Sequence, residues 1–127
     1  MSPIRIFQTR WFVRYAKRER ISDARLVEAV RRAENGLIDA DLGGGVIKQR
    51  VARPGQGKSG GYRVLLAFRP TDRAVFIFGF AKSARENIPP DELETAKTVA
   101  AYWLGASPTE IDQAIDESKL VEVRLEN

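Results

Sequence analysis

Five consecutive apolar residues, Val64 to Phe68, lie inside the segment GYRVLLAFR (Gly61–Arg69). In an extended chain, successive side chains point to opposite faces, so an unbroken apolar run needs cover on both sides. This segment therefore calls for a central strand in a sheet with material packed above and below it. RAVFIFGFA (Arg73–Ala81) follows across the short connection Pro70-Thr71-Asp72, where the fixed φ of proline suits a tight turn. The two segments read as neighbouring antiparallel strands.

The rest of the chain supplies further strands and the covering layers. IRIFQT (Ile4–Thr9) alternates apolar and polar residues and reads as an opening strand. Phe12, Tyr15 and Ala16 then recur at helical spacing. Ser22 or Asp23 looks like an N-cap, and Leu26, Val27, Val30 and Ala33 form one apolar stripe that stops at Asn35-Gly36. Together these predict a helical hairpin over roughly residues 8–34. GLIDADLGGG is read as a connection, and VIKQRVA (Val46–Ala52) as a strand. RPGQGKSGG is a glycine-rich loop or wide turn. PPDELETAKTVAAYWLG predicts a helix with prolines and acids at its start, burying Leu93, Ala96, Val99, Ala100 and Trp103. SPTEIDQAI predicts a short helix capped by Ser107 or Thr109, and KLVEVRLE (Lys119–Glu126) a closing strand. The order β-α-α-β-β-β-α-α-β implies an α+β fold, a small mostly antiparallel sheet with helices packed against it. At 127 residues the expectation is one domain over 1–127, with 105–127 as a C-terminal extension of unassigned role.

Composition limits the available chemistry. The chain has neither cysteine nor histidine, which removes disulfides, thiolate catalysis, the usual general base and the commonest zinc ligand. No apolar run reaches the roughly 20 residues needed to span a bilayer. The first residues lack signal-peptide organisation, so a cytoplasmic location is expected. No cofactor and no metal is expected, since the acidic residues follow no ligand pattern. The net charge of +4 conceals a segregation. Residues 1–45 carry nine basic and six acidic side chains, residues 46–85 nine and one, and residues 86–127 three and ten. A concentrated positive field of this kind suits a polyanion, and nucleic acid is the leading candidate. The alternative is that the acidic tail folds back and neutralises the middle.

Period-2 alternation places Lys48 and Arg50 on one face of their strand, roughly 7 Å apart. That separation is close to that of successive phosphates in an extended single strand. Arg63 on the next strand shares the face if the register allows it. Arg53 and Lys58 lie in the glycine-rich loop, where backbone can approach a phosphate. Tyr62 either stacks on a base or hydrogen-bonds a phosphate, or else packs on the helices. GQGKSG is not a phosphate-binding P-loop, because the required first glycine is Ala52 and no helix follows. Cations alone can promote cleavage of RNA by its own 2′-hydroxyl. Crowding favours the neutral form of a lysine, which then serves as a base, and guanidinium groups match the equatorial phosphate oxygens. Such a site gains most from a partner that fixes the RNA in line.

GGGVIKQRVARPGQGKSGGYR, with RAVFIFGFAKSARENI and DELETAKTVAAYWL, resembles the RelE/HigB-like toxins of bacterial type II toxin–antitoxin modules over roughly Phe12 to Leu104. The resemblance implies a RelE-like, microbial RNase-type fold and ribosome-dependent, metal-independent cleavage of mRNA in the A site. It also implies a cognate antitoxin as partner alongside the ribosome and mRNA, with no membrane and with DNA reached only through the antitoxin. The family's K-x-K corresponds to Lys48-Gln49-Arg50, with Lys48 as candidate base and Arg50 as phosphate ligand. The family's GYR corresponds to Gly61-Tyr62-Arg63, with Arg63 stabilising the transition state. The basic residue after the following strand corresponds to Lys82, joined by Arg85. Some members have a tyrosine just beyond; KSARENIPP has none, so the general acid has no assigned residue. The competing readings are a ParE-like gyrase poison and a non-catalytic nucleic-acid-binding or regulatory module.

Overall fold

In chain order the elements are β1 (Arg5–Thr9), α1 (Arg10–Glu19), α2 (Asp23–Glu34), β2 (Ala40–Gly43), β3 (Val46–Val51), β4 (Tyr62–Arg69), β5 (Arg73–Ala81), α3 (Pro90–Gly105), α4 (Pro108–Asp116) and β6 (Leu120–Val123). They come from a computed structural model that describes residues 3–53, 61–82 and 87–124. The six strands form one sheet in the order β2-β3-β4-β5-β1-β6. All neighbours are antiparallel except β1 with β5. This is the expected α+β fold, with a mostly antiparallel sheet and, among the described residues, four helices.

The apolar run on β4 is covered on both faces. Val64, Leu66 and Phe68 join Phe12, Leu26, Val30 and Phe76 in a core beneath the α1–α2 hairpin. Leu65 and Ala67 join Val46, Val75, Ala96, Ala100 and Ile111 in a second core beneath α3 and α4. A bulge on β5 preserves this division, because Leu65 pairs with Phe78 while Leu66 pairs with Phe76, leaving Ile77 as the extra residue. Of the stripe expected on α3, Ala96 and Ala100 are fully buried, while Leu93, Val99 and Trp103 are half-buried. The helix lies close to the sheet at its two alanines, and its larger side chains fan out at the margins.

Local chemistry sets the helix ends. Thr9 accepts the Phe12 N–H and Ser22 accepts the Arg25 N–H, each at 3.3 Å. Ser107 and Glu110 form a reciprocal capping box at the start of α4. α4 and β6 bury Ile111, Ala114, Leu120 and Val123, and β6 pairs with β1, so residues 107–123 are part of the packed fold. Ser107→Ala should therefore cost about 1 kcal/mol and lower the midpoint of thermal unfolding by several degrees. An unmoved midpoint would show that α4 adds nothing to the cooperative unit.

The sequence reading placed a plain connection where β2 lies. Ala40–Gly43 pairs with β3, with Ala40 opposite Lys48 and Asp41 opposite Ile47. This edge strand is only four residues long, and its burial alternates merely between exposed and half-buried, so no apolar signal marks it. The turn that follows holds Gly43, Gly44 and Gly45 at φ of 83, 63 and 82°, a left-handed run that side-chain-bearing residues resist.

Candidate nucleic-acid interface

Strand register decides which cations meet. β3 and β4 pair with Arg50 directly opposite Arg63 and Lys48 opposite Leu65. Directly opposed residues share a face, so Lys48, Arg50 and Arg63 lie on the same side of the sheet, the side that α3 partly covers. Phe80 of β5 sits opposite Arg63. Exposed Lys82 follows the end of β5, where its backbone N–H donates to the Gly61 carbonyl at 3.1 Å. That bond fastens Lys82 beside the start of β4, two residues from Arg63.

The three cations occupy different environments. Lys48 is half-buried, and no ion pair engages it among the described residues. Arg63 is 9% exposed, and its Nη1 donates to the Tyr62 carbonyl at 3.4 Å. Burial, reinforced by the positive charge of Arg50, pushes its guanidinium below the usual arginine range, while Asp39 acts in the opposite sense. A guanidinium stays protonated near neutrality even so. A cation held in poor solvent beside a second cation is stabilised by any anion that reaches it, and a phosphate does so in paired hydrogen bonds.

Arg50 is held from behind. Its backbone N–H donates to Asp39 Oδ2 at 2.7 Å, and its Nε lies 3.7 Å from Asp39 Oδ1. Arg32 of α2 donates to the Arg50 carbonyl, hydrogen-bonds Glu28 at 2.7 Å and lies 3.6 Å from Asp39. Gln49, wholly buried, fastens the loop that carries Asp39. It accepts the Asp39 N–H at 2.8 Å and donates to the carbonyls of Ala29 and Leu37 at 3.0 and 3.1 Å. Sequence reasoning did not single out Arg32, Asp39 or Gln49. The available signal was Gln49 itself, a polar residue between Ile47 and Val51 on the buried side of a strand, where it needs partners.

Tyr62 does not share this surface. As the neighbour of Arg63 on a strand it must point the other way, and it packs under the hairpin at 2% exposure. Its hydroxyl contacts the Glu19 carbonyl and carboxylate at 3.2 and 3.3 Å, and its ring meets Tyr15 edge-on. Burial and the Glu19 carboxylate push the phenol's pKa up. The packing alternative raised from sequence describes this tyrosine, which has no open ring face for a base. Arg53 lies over the Tyr62 ring at 5.6 Å and so sits with it, away from the Lys48 face. Lys58 and Arg85 fall outside the described residues.

The acidic C-terminal part leaves the two β3 cations alone. No carboxylate of α3 or α4 pairs with Lys48 or Arg50 among the described residues. Asp112 of α4 and Glu122 of β6 instead pair with Arg5, on the β1 side of the sheet. No described helix is long and apolar enough to cross a membrane.

The fold is a small α+β one in which two arginines oppose each other across neighbouring strands, with a lysine two residues along on the same face. The family model described as the RelE toxin of the RelE/RelB toxin–antitoxin system matches residues 4–123. The chain belongs to the RelE toxin family, and it is a toxin of a toxin–antitoxin system that pairs with a cognate antitoxin. No curated protein matches it.

Proposed function

We propose that this RelE-family toxin is a ribosome-dependent mRNA endoribonuclease that stops translation by cutting the message in the A site. The observation that carries the reading is the register pair Arg50–Arg63 with Lys48 on the same face. The reaction is attack of a ribose 2′-hydroxyl on the adjacent phosphorus: the new bond closes a 2′,3′-cyclic phosphate, the bond from phosphorus to the 5′-oxygen breaks, and that oxygen takes a proton from solvent to leave as a 5′-hydroxyl. Lys48 removes the hydroxyl proton as general base. Arg50 and Arg63 bind the equatorial oxygens and stabilise the pentacoordinate phosphorane, whose charge exceeds that of the starting diester. Lys82 adds positive charge at the same end of the sheet. The protein supplies charge and a rigid surface, and the ribosome supplies the in-line geometry that free RNA rarely adopts. Cleavage needs neither cofactor nor metal from this chain, and its partners are the cytoplasmic ribosome, its mRNA and the antitoxin.

Primer extension on mRNA after induction tests this reading. Discrete new 5′ ends within translated regions, absent when translation is blocked beforehand, are expected. Intact messages in growth-arrested cells would refute it, and arrest accompanied by DNA damage would point to a gyrase poison. Binding to single-stranded RNA should weaken steeply with salt. Three neutralised phosphates at about 0.7 each give a slope of about −2 in log K against log salt. A flat response in a binding titration would contradict the cationic surface.

A further inference from the structure

Opposing Arg50 and Arg63 across two strands carries an electrostatic difficulty, because like charges directly opposite destabilise a sheet. Asp39 is the described carboxylate placed to offset it. It accepts the Arg50 N–H at 2.7 Å, lies 3.7 Å from the Arg50 Nε, and acts electrostatically on Arg63 as well. Its own position is over-determined. Gln49 holds its backbone N–H, and Arg32, only 14% exposed and already paired with Glu28, lies 3.6 Å from its carboxylate. The arrangement is directional. Asp39 engages Arg50 at the backbone and at Nε, whereas the two terminal nitrogens of Arg50 make no hydrogen bond among the described residues, and the side chain is 49% exposed. The Arg50 backbone is hydrogen-bonded to Asp39, the carboxylate faces the base of the guanidinium as an ion pair, and the tip is left for the two-point contact that a phosphodiester takes.

We propose that Asp39 is a positioning residue, which fixes the Arg50 guanidinium opposite Arg63 so that both address one RNA phosphate. This rests on the ribonuclease reading above and assigns that site a residue outside its cationic set. Asp39 touches no substrate and acts through Arg50. Its effect therefore falls on how well the bound phosphate is aligned for reaction more than on how tightly RNA is held.

The test is Asp39→Asn in the full chain, since asparagine still accepts the Arg50 N–H but loses the charge. On ribosomes programmed with mRNA, kcat should fall about ten- to a hundredfold, the scale of a misplacement near 1 Å. KM should hold or drop, because the surface gains one net positive charge, and the thermal midpoint should move little. In an Arg50→Ala background the same substitution should have a much smaller effect, limited to what Asp39 exerts on Arg63, because residues acting through one another are not additive. A penalty that persists undiminished in that background, or a kcat equal to wild type, overturns the proposal. So does a loss that tracks the folded fraction. A second readout needs no activity. In wild type the Arg50 Nε–Hε resonance should be displaced from that of a free arginine by the carboxylate 3.7 Å away, and in Asp39→Asn it should move toward the free position. Should wild type leave mRNA intact, the ribonuclease reading fails and this resonance decides the placement alone: a difference between the two proteins supports it, and identical spectra overturn it.

Discussion

Expression of the Lys48→Ala, Arg63→Ala double variant should permit growth where wild type arrests it, with mRNA cleavage reduced at least ~10³-fold. A general base contributes about 10²–10⁴ in rate, and one preorganised donor to the transition state about 10²–10³. The two losses need not multiply, because both residues act on one phosphate. The change must be separated from unfolding, since Arg63 is 9% exposed and its removal leaves a gap in β4. Circular dichroism and a thermal scan supply that control. Arg63→Lys sharpens the test, because it keeps the charge but loses the planar two-point fork, and only partial activity is expected. A folded double variant that remains fully toxic would remove Lys48 and Arg63 from the site.

The second large effect belongs to Gly61. A Cβ placed there would lie 2.2 Å from the Val51 carbonyl oxygen and 2.9 Å from the Arg53 backbone N. Both obstacles are backbone, so no rotamer change relieves them. Gly61→Ala must push β3 from β4 at the Val51–Tyr62 pair, one step from Arg50–Arg63. Overpacking costs about 1–3 kcal/mol where side chains can adjust, and this site belongs at or above the top of that range. The displacement also opens the arginine pair, and it loosens Lys82, whose N–H is held by the Gly61 carbonyl. A lowered thermal midpoint together with lost cleavage is expected, in contrast to the double variant, which should lose cleavage while keeping its fold. Wild-type stability and activity in Gly61→Ala would mean that the close approach of β3 and β4 is not needed.

How much of this was legible in sequence depends on the physical signal each element carries. β4 announces itself because no other arrangement hides Val64 to Phe68 on both faces. The α1–α2 hairpin and α4 carry caps and apolar stripes that need no tertiary information. β2 could not be seen this way: it is four residues long, and its Ala40 and Leu42 are only half-buried, too short an alternation to mark a strand. The same division runs through the site. Alternation alone puts Lys48 and Arg50 together, but whether Arg63 joins them depends on register, which is set by the whole β3–β4 ladder. Alternation also excludes Tyr62 from the face that holds Arg63, a consequence that the adjacent letters conceal. Of the Arg32–Asp39–Gln49 support only Gln49 carried a signal, as a polar residue on the buried side of β3; its partners were illegible because they come from a helix and a loop, and no local pattern reports such a meeting.

The central claim is that clustered cations promote attack by a ribose 2′-hydroxyl, and the chemistry of the cut ends tests it most directly. Cleavage products from programmed ribosomes should carry a 5′-hydroxyl on the downstream fragment and a cyclic or terminal phosphate on the upstream one. A single 2′-deoxy substitution at the scissile nucleotide should abolish the cut. A downstream fragment bearing a 5′-phosphate, or undiminished cleavage of the 2′-deoxy message, would contradict the account.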